Sequence, residues 1–384
     1  MKPTFVKPII FAILAAGSLA AQAKPLKIYI LSGQSNATGM ARNHTLEHLK
    51  MAPVTAKEFA AMFDASGNPV EIDQVRVSCW PKGGMEQMGI LRPGYGGGKD
   101  EGMFGPEYGF GVYMHQKLQE PILIIKCSQG GRDLNFNFRP PSAGEWTPPA
   151  SHPDAKNPGK TKSVTPNPSD PKTIVSYEYN KMIEHIREVL KDPAKYHPAY
   201  NANDGYEIAG FLWFQGYNDM INKGVYPNRE QPGGYDQYTW LLEHLIRDLR
   251  KDLNAPKMPA VIGVMGIGGV QGMDTNIGRF QVAQAAIAEK PEFKGNVAAL
   301  HTGKFWDHDL AALSSRAGAI KRANSKKGNK KKGNQEQDLP PLTEEEQKLL
   351  KAAVSDADFH YLGSGKIMTA IGKGFADSML ELGR

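Results

Sequence analysis

Six short apolar runs separated by longer stretches constrain the fold more than any other feature. They are "KIYIL" (27–31), "VRVSC" (75–79), "ILIIKC" (122–127), "IAGFLWF" (208–214), "AVIGVMG" (260–266) and "VAALHT" (297–302). Several are apolar without alternation, as strands are when helices cover both faces of a sheet. Helical patterns fall between them. Val175, Tyr179, Met182, Ile183, Ile186, Val189 and Leu190 recur at helical spacing, as do Trp240, Leu241, Leu245, Leu249 and Leu253. "GKIMTAIGKGFADSMLEL" closes the chain as a last amphipathic helix. Strands alternating with helices spell βαβ units and a parallel sheet. The expected fold class is α/β, three layers (α/β/α) around a mostly parallel sheet of five or six strands.

The 384 residues can bury a large core, and two segments interrupt the alternation. Residues 139–172 are crowded with Pro, Ser, Asn and Asp, and 314–342 carry a basic tract followed by "DLPPL". Excursions of this length in a compact fold are binding loops or disorder. The economical division is a leader over 1–23 and a single domain over 24–384 with those two excursions. The leader has Lys2 and Lys7, then the apolar run "IIFAILAAGSLA", then Ala21-Gln22-Ala23, the pattern of a secretory signal cleaved after Ala23. Its apolar run is too short to span a bilayer, and no later segment qualifies as transmembrane. The expected destination is therefore periplasmic or extracellular.

The formal charge of +6 is local. "KRANSKKGNKKKGN" (321–334) holds seven Lys or Arg, and without these and the two leader lysines the charge becomes −3. Such a tract reads as a solvated loop or as a segment that meets polyanions. An exported chain with no recognisable nucleic-acid motif is not expected to bind nucleic acid. The two cysteines, Cys79 and Cys127, both lie in apolar runs and make no disulfide framework and no Cys/His metal spacing.

Open parallel sheets place their sites at the carboxyl ends of strands. There the first run delivers "SGQSN", the third "SQGGRDL" and the fourth "QGYNDM", while "SDADFHYLGSG" precedes the last helix. Taken singly these are ordinary. A serine there is an N-cap, two glycines a tight turn, Asn-Asp a turn, and a lone histidine a structural one. Together they supply what acyl transfer needs. Ser35 attacks a carbonyl, His360 takes its proton, and the Ser35 and Gly131 N–H groups with the Asn218 amide hold the oxyanion. Such chemistry needs no metal and no organic cofactor.

Four motifs in this order resemble the SGNH hydrolase superfamily, and within it carbohydrate acetylesterases of the sialate O-acetylesterase and acetylxylan esterase type. "GQSN" resembles the nucleophile block, "GGRDL" the glycine block, "WFQGYND" the third block and "FHYLGS" the histidine block. "FGPEYGFG" (104–111) resembles a further segment in which Glu107 is structural. The resemblance implies a flavodoxin-like SGNH fold, a Ser35 nucleophile, a His360 base, and oxyanion donors from Ser35, Gly131 and either Asn218 or Gln215. It implies a serine esterase that removes O-acetyl groups from a poly- or oligosaccharide. A lipase or thioesterase on the same scaffold would want a long apolar stretch near the site, and none is present.

One departure concerns the acid. The family pattern Asp-x-x-His would put an aspartate where Ala357 stands, with Asp356 and Asp358 on either side. Either carboxylate, or a backbone carbonyl, would fix the imidazole. The missing residue also leaves open a catalytically silent carbohydrate-binding or cell-surface protein on the same scaffold. Tyr95, Trp146, Trp213 and Tyr217 are candidates to stack on sugar rings. With a strand order 2-1-3-4-5, the strands bearing Cys79 and Cys127 would flank the first strand. That spacing is too wide for a disulfide and predicts unbridged thiols.

Overall fold

The structure, a computed structural model, describes residues 24–82, 85–97, 102–147, 169–327 and 340–383. The leader over 1–23 lies outside them, as do 148–168 of the first excursion and 328–339 of the second. All six apolar runs are strands of one sheet: β1 Leu26–Gly33, β2 Ile72–Lys82, β4 Ile122–Ser128, β5 Tyr206–Phe214, β6 Ala260–Val264 and β7 Val297–His301. A seventh strand, β3 Met85–Leu91, pairs antiparallel with β2. The order is β3-β2-β4-β1-β5-β6-β7, and every pair except β2/β3 is parallel. Every residue of β4 and β6 is buried, as the unbroken apolar runs require.

The expected strand order therefore needs correction. The strand bearing Cys79 does not flank β1; it lies outside β4, as part of the β2–β3 hairpin. Without that hairpin the remaining five strands do run 2-1-3-4-5, the flavodoxin-like order. Cys79 thus sits on the strand next to Cys127, paired in register with Lys126. Side chains alternate along a strand, so Cys79 shares a face with Lys126 while Cys127 points to the other. The two cysteines are buried and form no disulfide, because the sheet lies between them.

Helices cover both faces. On one lie α1 Pro106–Leu118 and α7 Gly365–Leu382; on the other lie α2 Tyr177–Lys191, α3 Asp236–Asp252 and α4 Asn276–Ala285. The α1/α7 pair packs backbone to backbone through glycines. A Cβ at Gly372 would come within 2.5 Å of the Pro106 carbonyl oxygen, and one at Gly109 within 2.8 Å of that of Thr369. Leu241, Leu245 and Leu249 of α3 are buried as the periodicity requires, but Trp240 is 40% exposed and packs edge-on against His244.

The second excursion is also not all loop. Helix α5 His308–Lys327 runs through its first part and α6 Glu344–Ala353 begins at its end. The Ala-, Leu-, Lys- and Arg-rich composition of 310–322 favours helix, and a count of charge alone misses it. Residues 321–327 of the basic tract belong to α5; the rest lies outside the described residues.

Candidate active site

Three central strands end level. Gly33 of β1 is in register with Ser128 of β4 on one side and Phe214 of β5 on the other. This is the switch point of the sheet, where successive connections leave in opposite directions. Their carboxyl ends bring Ser35, Gln129-Gly130-Gly131 and Gln215 to Asn218 to one rim. The β1/β5 approach is close: a Cβ at Gly33 would lie 2.1 Å from the Phe214 carbonyl oxygen, and Gly33 has φ +144°. A glycine is required there.

Ser35 opens a single helical turn, Ser35–Thr38. The first N–H groups of a helix have no partner within it, so the Ser35 N–H is available to a ligand. Gly130 lies beside the serine, where an added Cβ would be 3.8 Å from Ser35 Cβ. Gly131 has φ +71° and open space where a Cβ would be, so its requirement is conformational. Ser35, Gly130, Gly131, Asn218 and His360 all line one cleft of about 810 Å³.

His360 arrives on a loop that folds back on itself. Ser355 N and Asp356 N donate to Leu362 O, and Leu362 N donates to Ala357 O. Tyr361 and Leu362 have left-handed φ values of 53° and 62°, uncommon for residues with a Cβ. Two hydrogen bonds offset that strain. The Tyr361 hydroxyl accepts from Gly266 N at 2.7 Å and lies 2.7 Å from Thr302 Oγ1, while its ring is buried against Phe214. With Tyr361 anchored inward, its neighbour His360 is turned to the cleft. Asn36, next to the serine, donates from Nδ2 to Phe359 O at 3.2 Å and ties this loop to the nucleophile turn.

The loop also resolves the two aspartates. Asp356 Oδ1 lies 3.2 Å from His360 Nδ1. The alignment falls short of a hydrogen bond: Asp356 Oδ1 accepts from Ala357 N at 2.6 Å, and buried Nδ1 has no hydrogen-bond partner among the described residues. Catalytic contacts are often loose before substrate binds. Asp358 is exposed and its Oδ1 accepts from Phe359 N.

Asn218 lines the cleft and Gln215 does not. Gln215 is 2% exposed, and its Nε2 donates to Gln34 Oε1, Arg132 O and Asp219 Oδ2 while its Oε1 accepts from the Tyr238 hydroxyl. That amide is engaged inside the protein. Of the four aromatic candidates only Tyr217 lines the cleft. Tyr95 and Trp213 are buried, and Trp146 packs edge-on against Phe136.

Several residues inside these motifs have contacts that the motifs themselves do not assign. Phe359 lies beside Tyr217 with ring centroids 5.7 Å apart and meets the His360 ring edge-on at 4.4 Å. Gln34, between Gly33 and the serine, is 3% exposed and hydrogen-bonds to the third block. Asp219, fully buried, accepts from Leu134 N, Asn135 N, Gln215 Nε2 and the Tyr226 hydroxyl, joining the glycine block to the third block. Burial, with the negative charge of Asp133 adding to it, pushes Asp219 up to about 7. Glu107 and Lys126 form a buried ion pair at 2.6 Å, in which Lys126 also donates to Thr38 O and Tyr95 O. Glu107 is structural, as its segment implies.

The family model for "carbohydrate esterase, sialic acid-specific acetylesterase" matches residues 25–303. Among solved structures, an Arabidopsis thaliana protein is similar at 18% identity and a TM-score of 0.45, with 93% of this chain and 98% of that one covered. A carbohydrate acetylesterase from Xanthomonas citri is similar at 15% identity and a TM-score of 0.41 over 71% of this chain; the match spans 49% of that protein. No curated protein sequence matches. The match over residues 25–303 covers every strand of the sheet and three of the four site segments, and the chain belongs to the sialic acid-specific acetylesterase family of carbohydrate esterases.

Proposed function

We propose that the protein is an exported serine esterase that removes O-acetyl groups from an acetylated oligo- or polysaccharide, with Ser35 as nucleophile, His360 as base and Asp356 behind it. The observation that carries this reading is the convergence of Ser35, Gly131, Asn218 and His360, from four distant segments, on one cleft at the switch point of the sheet.

The reaction follows from these positions. Ser35 Oγ attacks the acetyl carbonyl carbon as His360 Nε2 takes the hydroxyl proton. The carbonyl oxygen becomes an oxyanion and is met by the N–H groups of Ser35 and Gly131 and by the Asn218 amide. The tetrahedral intermediate collapses and the sugar oxygen leaves with the proton from His360, so that Ser35 is acetylated. Water, deprotonated by His360, then attacks the acetyl-serine; acetate leaves and Ser35 Oγ regains its proton. Asp356 orients the imidazole and stabilises its charged form throughout. The leader over 1–23 supports export, and Tyr217 with Phe359 offers a sugar ring an aromatic face beside the histidine.

Acetate release from acetylated xylo-oligosaccharide and from an O-acetylated sialic acid, by wild type and Ser35→Ala, tests the reading. Release from at least one substrate that vanishes in the variant is expected. No release by wild type from either, or equal release by both proteins, would overturn it.

A further inference from the structure

Resting on that reading, we infer that Gln34 is a positioning residue: it fixes the orientation of the Asn218 side-chain amide so that Nδ2, and not Oδ1, faces the oxyanion. An asparagine amide can sit either way round, and only one way helps. With Nδ2 in the cleft it donates to the developing negative charge. With Oδ1 there, a lone pair would oppose it.

Gln34 decides between the two by a chain of unambiguous donors. Its Oε1 accepts from two backbone N–H groups, Gly216 N at 3.1 Å and Asn218 N at 3.3 Å, as well as from Gln215 Nε2 at 3.2 Å. A backbone N–H can only donate, so the Gln34 atom facing these groups is its oxygen. The other end of the Gln34 amide is therefore Nε2, and it donates to Asn218 at 3.0 Å. Nε2 can only donate as well, so the Asn218 atom it meets is Oδ1. What remains of the Asn218 amide for the cleft is Nδ2.

The arrangement is well placed to hold. Gln34 is 3% exposed, and turning its amide over would set Nε2 against the N–H groups of Gly216 and Asn218. The residue is also the N-cap of the Ser35 turn, so one residue ties the backbone of the nucleophile to the donor that serves the same reaction. Gln215 contributes from behind, as a donor to Gln34 Oε1 and not as an oxyanion donor.

Gln34→Glu separates the two halves of this role. A glutamate keeps the shape and an oxygen for Gly216 N, Asn218 N and Gln215 Nε2, but it replaces the donor Nε2 with an acceptor. The Asn218 amide must then turn to present its own donor to residue 34, which puts Oδ1 in the cleft. On p-nitrophenyl acetate, kcat should fall about 10²–10³-fold, as it does on loss of one oxyanion-hole donor, with KM changed less than about threefold. In an Asn218→Ala background the same substitution should change kcat less than about threefold, because the group it acts through is gone. Wild-type kcat in Gln34→Glu, or an equal loss with and without Asn218, would overturn the inference.

If Gln34→Glu does not fold by thermal unfolding, Asn218→Asp asks the same question. One carboxylate oxygen would accept from Gln34 and the other would face the oxyanion, so kcat should fall at least as far as in Asn218→Ala. An Asn218→Asp enzyme near wild type would overturn the inference. Failure of the proposed function itself would look different, as wild-type hydrolysis that does not depend on Ser35.

Discussion

Asp356 Oδ1 stands 3.2 Å from His360 Nδ1, four residues along a loop that is hydrogen-bonded to itself. The expected Asp-x-x-His would set its aspartate at position 357, which holds Ala357. The carbonyl of Leu362 gathers the amides of Ser355 and Asp356, and that closure brings an aspartate one residue further away back to the imidazole.

The two neighbouring aspartates should therefore behave differently. Asp356→Asn is expected to lower kcat on p-nitrophenyl acetate by about 10²–10⁴-fold, the range for loss of the acid behind a catalytic histidine. Asp358→Ala, at an exposed position, should change it less than about threefold. Equal losses in the two variants would remove Asp356 from the site.

Tyr361→Phe should destabilise the protein and slow it as well. Removal of the hydroxyl leaves Gly266 N and Thr302 Oγ1 without the partner that each has at 2.7 Å in the buried interior. The expected cost is about 1–3 kcal/mol, read by chemical denaturation. Because Tyr361 holds the left-handed turn beside His360, kcat should fall too. Unchanged stability would show that the loop is held by other contacts.

Replacement of Lys126 by methionine leaves the fully buried Glu107 carboxylate without its cation. Breaking a buried ion pair in this way costs about 3–5 kcal/mol. Thr38, at the end of the Ser35 turn, also loses the ammonium that its carbonyl accepts from at 2.8 Å. A melting temperature close to wild type would contradict this account of the pair.

Stability should also carry a signature of the Asp133/Asp219 pair. Asp219 is pushed up to about 7 in the folded protein, against an ordinary value of 3.8. Between those values the folded chain binds a proton that the unfolded chain has already lost, so this contribution to stability declines as pH rises through the window. Asp133→Asn removes the neighbouring charge and keeps an oxygen for Phe136 N and Asn137 N. Its melting temperature should fall less steeply than wild type from about pH 5 to about pH 7. Burial also pushes the Asp133 carboxyl itself up, so the variant removes that titration as well; parallel curves would show that neither Asp133 nor its charge beside Asp219 carries this pH dependence.

What was legible in the sequence follows what each signal reports. Short apolar runs mark all six parallel strands, most plainly β4 and β6, because a strand buried on both faces has few polar residues to hide it. The β2–β3 hairpin is not legible: "MEQMGIL" carries Glu86, Gln87 and Gly89 among its seven residues and forms no apolar run of strand length. That omission displaced Cys79 in the strand order. That Ser35, Gly131 and Asn218 come to one rim is legible because strand ends gather chemistry in this fold class. The parts of Gln34 and Asp219 are not legible, because they rest on hydrogen bonds between segments far apart in sequence; Asp356 and Asp358 both read as partners for His360, and only the fold of their shared loop tells the two apart.

The central claim is that Ser35 carries the acetyl group between the two half-reactions. Rapid acid quench of enzyme turning over p-nitrophenyl acetate, followed by peptide mass mapping, tests it directly. The account predicts one added acetyl group on the peptide containing Ser35, absent in Ser35→Ala together with turnover. An acetyl group on a different residue, or sustained turnover by Ser35→Ala, would contradict it.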